Sequence, residues 1–403
     1  MAGIARLSGT VKHYDWGGFE FIPSLLNVKN TDGKPFAEYW LGAHPLADCV
    51  IAFPDGRIRN LRDVFSESPA DTLGAEVSSK YGGLPYLLKV LDVKDMLSIQ
   101  VHPSKQAAKR DFDEENLMGV PLTSPERNYK DENHKPELLV AIGEFWLLHG
   151  FKQLIALRQT LTNTRELQFL LPILDLGYVE MYRKVMEMPQ EEVNTILQPL
   201  LDRIIPLYKN DKLNKSKEDF WAARAALSFF QPGKIDRGIF SIYLFNLIKL
   251  KKGQAVFQDA GVPHAYLEGQ NVEIMANSDN VLRGGLTTKH VDVHQLIKHV
   301  KCEPTDVEIL NGAKHGDTLV YKTVAPDFEL AAFQLNEANT TTIKGDTAEI
   351  LLLIEGKVEL SYEGNMIVLE KGNPSAILFP GTAATVLAIE PSLVYKATVA
   401  NRQ

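Results

Sequence analysis

The chain has 403 residues, is 45% hydrophobic and carries a formal net charge of -8 at pH 7. That length can bury substantial cores and fits two or three domains, while the negative charge argues against a nucleic-acid groove, whose affinity rests on Lys and Arg contacts to phosphate. With only Cys49 and Cys302 there is no disulfide framework and no multi-thiolate zinc site, and without an apolar leader or a run of about 18 apolar residues the expectation is a soluble cytoplasmic protein with no membrane partner.

From the start to about Ile142 the chain alternates short apolar runs with Gly, Pro and Asp. The stretches 84–91 and 96–101 read as strands of a sandwich or barrel. In an extended segment residues two apart share a face, so Gln100 and His102 point to one side, either into the interior or as a polar pair on a solvated face. Next comes Asn133-His134-Lys135-Pro136-Glu137, where Glu137 opens the apolar run Leu138-Leu139-Val140-Ala141-Ile142. A carboxylate at the mouth of a buried strand is costly unless it is paired or coordinated.

The texture changes between Phe151 and Pro232, where Gly177 is the single glycine. Apolar residues recur there at helical spacing, as in Val193, Ile196, Leu197, Leu200, Leu201 and Ile204, which predicts a helical insertion. The β texture is expected to resume at 238–244, making the first β-domain discontinuous. Beyond it, Gly261-Val262-Pro263-His264-Ala265-Tyr266 places a histidine after a Gly and Pro turn, in the order of a cupin's second half-motif.

Gln100, His102, Glu137 and His264 together offer an amide, a carboxylate and two imidazoles, the mixed N/O set of a catalytic zinc site. The segment 272–287 then carries Glu273, an Asn-Ser-Asp-Asn turn and Arg283 before two glycines. An arginine there suits a phosphate or an oxyanion, but on composition alone a surface hairpin with a solvated arginine is the narrowly favoured reading. From about Tyr321 a second all-β unit follows, whose strand and Gly-turn rhythm at 349–369 predicts a small jelly roll. No histidine follows His315, so this unit is expected to be structural.

The blocks Gln100-Val101-His102-Pro103, Tyr129 to Glu137, Pro263-His264-Ala265-Tyr266 and Asn277 to Arg283 resemble the type I phosphomannose isomerases. The likeness begins at Tyr14-Asp15-Trp16-Gly17 and Glu38-Tyr39-Trp40-Leu41-Gly42-Ala43-His44-Pro45 and runs nearly end to end. It implies interconversion of mannose 6-phosphate and fructose 6-phosphate with one zinc per chain, bound by Gln100, His102, Glu137 and His264. It implies Arg283 as the catalytic arginine and Lys89, Ser98, Lys135, Glu273 and Asp279 as pocket residues. Glu273, Asp279, Lys135 and His134 remain open as the proton-transfer group, and Lys89, Ser98, Lys135 and Arg283 are the phosphate candidates.

The expected fold is mainly β, with two cupin-like jelly-roll β-barrels plus an α-helical domain. Residues 1–150 and 233–315 form the zinc-binding unit, 151–232 the insertion and 316–403 a C-terminal unit without metal ligands. A sugar phosphate is the expected partner and a monomer the working expectation. An Fe(II) dioxygenase and a non-catalytic sugar-phosphate sensor are the competing classes; Gln100 as an extra ligand and Arg283 speak against the first.

Overall fold

A computed structural model describes residues 3–400; residues 1–2 and 401–403, at the ends of the first and last expected segments, lie outside the described residues. Among the described residues the strands form a nine-stranded, an eleven-stranded and a four-stranded sheet, with antiparallel pairing between the named strands. The mainly β fold with a helical unit is as expected.

The centre of the eleven-stranded sheet is the ladder of Glu38–His44, Tyr86–Val93, His264–Ala276 and Glu137–Ala141. Residues directly opposite each other share a face, and successive residues alternate faces. One row across the ladder is therefore Trp40, Lys89, Glu273 and Leu139, and the next row on the same face is Gly42, Leu87, Met275 and Glu137. The intervening residues Tyr39, Leu41, Leu88, Val90, Leu138, Val140, Val272 and Ile274 point the other way. They share a core with Leu330, Ile350, Leu352 and Tyr395 of the nine-stranded sheet. Burying that apolar face leaves the charged row to face inward on the other side.

The nine-stranded sheet joins the two ends of the chain, because Ile4–Ser8 lies between Ser375–Leu378 and Val50–Ala52. The four-stranded sheet covers its far side through Val358, Leu360, Ile367 and Val386 packed with Leu351, Leu353 and Val394. In the helical unit, Gln190–Lys209 buries Val193, Leu197, Leu200, Leu201 and Ile204, the expected stripe, with Ile196 partly buried beside it. The same core takes in Ile99, Val101, Ala265, Leu267 and Leu282, so the helices back the strands that carry Gln100, His264 and Arg283.

Four features differ from the sequence reading. The segment Gly238–Leu244 is an α-helix, followed by the strand Phe245–Leu250. All seven of its residues are buried, so it shows no one-sided apolar pattern by which a helix is recognised. The N-terminal region holds the helices Leu61–Glu67, Pro69–Leu73, Ala75–Tyr81 and Lys105–Leu117. Only Gln100–Val101 of the 96–101 run is strand. Finally, the sheets are open paths and not closed barrels. The long strand His264–Ala276 forks, pairing with Phe145–Phe151 and Gln100–Val101 over its first half and with Tyr86–Val93 and Glu137–Ala141 over its second. At the fork Gly269 has φ +125°, and a Cβ there would stand 2.5 Å from the Glu144 carbonyl oxygen, so only glycine fits.

Among the described residues no helix is long and apolar enough to cross a membrane.

Candidate metal centre and active-site cleft

His102, Glu137 and His264 come together in the fold although their sequence positions span the helical unit. One ligand atom from each lies within 4.8 Å of the others. Glu137 opens its strand, His264 opens another, and His102 follows Gln100–Val101 directly. All three side chains are buried, with His102 at 0%, His264 at 3% and Glu137 at 4% exposure.

The two imidazoles are held by their far nitrogens. His102 Nδ1 donates to the Asn280 carbonyl at 2.8 Å and His264 Nδ1 to the Val262 carbonyl at 3.0 Å. A carbonyl can only accept, so each Nδ1 carries a proton, and in the neutral ring that leaves Nε2 as the lone pair. Those Nε2 atoms lie 3.4 and 3.3 Å from the two oxygens of Glu137. Neutral lone pairs facing a carboxylate repel unless a cation lies between them. Ligand atoms at about 2.1 Å from a tetrahedral zinc stand about 3.4 Å apart, which is the spacing found between Glu137 and each imidazole. The buried Nε2 of His102 also has no hydrogen-bond partner. The donor set therefore fits a zinc ion.

Gln100 lies beside this set by register. It pairs with His264 on one side and with Arg283 on the other, so His264, Gln100 and Arg283 form one row on one face.

Burial pushes the His102 imidazole down to about 4, against the upward pull of Glu137. For Glu137, burial alone would raise the carboxyl, but Lys135 and His102 outweigh it and hold it well below the usual carboxylate range. Near neutral pH the site thus offers a neutral imidazole and a carboxylate, the forms that bind metal. Both groups are depressed in the folded chain, so their stabilisation is complete above the unfolded values and is lost as pH falls. The melting temperature of the metal-free protein should drop as pH goes from about 6.5 towards 4. Thermal unfolding across that window in chelator measures it, and a flat profile would contradict the assignment.

A small cavity of about 50 Å³ beside the ligands is lined by Gln100, Lys135, Glu137, His264, Lys89 and Glu273. It adjoins a cleft of about 670 Å³ that shares Glu38, Lys89, Leu97, Gln100 and Lys135 with it and adds Ser98, Asp279, Arg283 and Lys289. Most of the sequence candidates therefore line one continuous space. Lys89 lies 3.1 Å from Glu273 and Lys135 lies 3.1 Å from Glu137, so both lysines are committed to carboxylates near the ligands. Tyr266 donates to Glu273 at 2.7 Å. Burial, then the Glu137 charge, push the Glu273 carboxyl up. Asp279 lies 3.5 Å from His44, whose imidazole burial pushes down.

His134 stands apart from the other candidates. Its Nε2 meets the buried Asp327 at 2.9 Å, and it lines neither the cavity nor the cleft.

Residues 4–154 match the family described as phosphomannose isomerase type I, catalytic domain. The mannose-6-phosphate isomerase of Escherichia coli K12 is 34% identical, over 98% of this chain and 97% of its own length. The chain belongs to the type I phosphomannose isomerases. The rat mannose-6-phosphate isomerase is 33% identical over 95% of both chains. Among solved structures, the Salmonella typhimurium mannose 6-phosphate isomerase bound to fructose 6-phosphate and zinc matches with a TM-score of 0.88 at 30% identity, over 99% of this chain and all of that one. A zinc-bound mannose 6-phosphate isomerase matches with a TM-score of 0.89 over the same shares.

The expectation of an isomerase is met, and the dioxygenase and sensor readings fall away. For a phosphomannose isomerase, several cleft residues went unassigned in the sequence. Glu38 lies on the ladder two residues before Trp40, and its carboxylate accepts from the Trp40 indole and lies 4.0 Å from Lys89. Lys289 lines the cleft, and burial, then Arg283, push its ammonium down. Glu38 falls in a block that carried the family likeness, so alternation with Trp40 was its available signal; Lys289 lies past the Gly-Gly turn in a segment with no periodicity.

Proposed function

We propose that the chain interconverts mannose 6-phosphate and fructose 6-phosphate by proton transfer between C1 and C2 through a cis-enediolate, at one zinc held by Gln100, His102, Glu137 and His264. The observation that carries this reading is the partnerless Nε2 of His102 facing the Glu137 carboxylate, beside a cavity that adjoins a cleft holding Arg283 and Lys289. The fructose 6-phosphate and zinc in the Salmonella relative support it. When bound, the zinc supplies a Lewis acid for the sugar oxygens.

The other tasks fall to side chains of this chain. Arg283 stands in the row with Gln100 and His264, next to where negative charge develops on the enediolate, and is positioned to stabilise it. Glu273 is the proton carrier. It lines the cavity beside the ligands, its carboxyl is raised so that it can hold a proton, and Tyr266 and Lys89 fix both of its oxygens. Lys89 and Lys135 steady the two buried carboxylates and so belong to the reaction end. The phosphate is assigned to the rest of the cleft, against Lys289, Ser98 and Thr287. Among the described residues neither Arg283 nor Lys289 makes an ion pair, which leaves both free for an anion.

Residues 1–150 and 233–315 then form the catalytic unit, with strand Ile4–Ser8 and strands Val50–Ala52 and Ile58–Asn60 lent to the C-terminal sheet. Both β units are cupin-like in this reading, and 151–232 and 316–403 brace the catalytic one.

Chelation is the test of the metal's role. It should abolish turnover while leaving the melting temperature within a few degrees, because the apolar cores hold the fold without the metal. Unfolding on chelation at assay temperature would mean that the ion is structural, and full turnover in chelator would mean that it is not needed.

A further inference from the structure

We infer that Asn280 is the positioning residue of the metal centre, holding His102 through its main chain and the strap that leads into Glu137 through its side chain. This rests on the metal reading of His102, Glu137 and His264.

Asn280 is fully buried. Its side-chain oxygen accepts from the backbone N–H groups of Lys130 at 2.7 Å and Asp131 at 3.2 Å. Its side-chain nitrogen donates to the carbonyls of Asp131 at 2.8 Å and Asn133 at 2.9 Å. Two acceptor and two donor bonds, with a longer 3.3 Å contact from the same nitrogen to Asp131 Oδ1, use the whole capacity of a carboxamide, and all go to the strap 130–133. That strap runs directly into Lys135 and Glu137. The Asn280 carbonyl meanwhile is the acceptor for His102 Nδ1, and three residues further on the chain reaches Arg283.

One residue therefore ties the His102 segment, the Glu137 segment and the Arg283 segment together. Asp131 strengthens the knot, accepting from the Asp279 N–H and the Ser278 hydroxyl, each at 2.8 Å. An ordinary buried turn would need the four side-chain bonds. It would not need the adjacent carbonyl to fix the tautomer of a ligand. Partners that orient a ligating imidazole set metal affinity, and losing one typically weakens it about 10- to 100-fold.

In Asn280→Ala the strap and the loop lose their common anchor, so the carbonyl no longer holds a fixed place under His102. Zinc affinity, read by competition with a chromophoric chelator on metal-free protein, should fall about 10- to 100-fold. The absorption bands of the cobalt(II)-loaded protein should shift as the ligand field loosens. The control is Asn194→Ala in the helical unit, which removes bonds with Gly233, Ile235 and Gln190, none of which lines the cavity or the cleft. Its melting temperature should fall, yet its zinc affinity and cobalt spectrum should match the wild type. If Asn280→Ala does not fold, Asn280→Ser, which adds no charge and keeps a group able to accept and to donate, decides the question by the same criterion. A zinc affinity within twofold of wild type in the folded variant would overturn the inference. A wild-type chain that takes up no zinc in the same titration would instead sink the metal reading beneath it.

Discussion

The His264→Ala protein should retain almost no zinc after dialysis and should lose turnover by more than about 100-fold, beyond the range seen when only an orienting partner of a ligand is removed. The reason is geometric. His264 supplies the Nε2 lone pair 3.3 Å from one Glu137 oxygen, and the other Glu137 oxygen already faces His102. Without His264 the carboxylate keeps only one imidazole and the Lys135 ammonium as partners. The variant should still fold. His264 is the first residue of a long strand whose ladder to Tyr86–Val93 runs over residues 269–276, well clear of the change. Metal analysis together with far-UV circular dichroism separates the two effects, and a variant that stays active with bound zinc would remove His264 from the ligand set.

The Arg283→Ala protein should bind zinc as well as the wild type but turn over about 10²- to 10³-fold more slowly, the usual cost of removing one group that stabilises a developing oxyanion. Arg283 pairs with Gln100 in a two-residue strand, and its backbone bonds do not depend on its side chain. Burial lowers its guanidinium from the usual value, though it stays charged, and no carboxylate among the described residues competes for it. If the phosphate also leans on Arg283, KM should rise with the fall in kcat. Loss of zinc from this variant would mean that the arginine holds the site together and does not act on the substrate.

Much of the candidate site was legible because its donors fall at positions where sequence and local geometry agree. Gln100 and His102 are two apart, Glu137 stands where a polar segment meets a buried strand, and His264 follows a Gly and Pro turn. Each of these marks an element boundary that the fold keeps. What escaped is carried by the backbone or by distant pairing. The acceptors that set the His102 and His264 tautomers are carbonyls of Asn280 and Val262, and no residue type announces a carbonyl. His134 looked like a pocket residue beside Lys135, but one residue earlier on an extended segment points the other way, towards Asp327.

The fold was readable where one face is apolar and the other is not. The stripe on Gln190–Lys209 is of that kind. At Gly238–Leu244 both faces are buried, so composition rich in Ile, Phe and Tyr suggested a strand where packing made a helix. The pairing of Ile4–Ser8 with Ser375–Leu378 brings together segments about as far apart as the chain allows, and nothing in either segment alone specifies the other.

The most direct measurement is a coupled assay for fructose 6-phosphate formed from mannose 6-phosphate, run with and without chelator on protein of known metal content. Turnover that disappears with chelator and returns on adding zinc, at about one zinc per chain, is the result expected of a zinc-dependent isomerase. Zinc-loaded protein that forms no fructose 6-phosphate, or turnover that is indifferent to the metal, would contradict it.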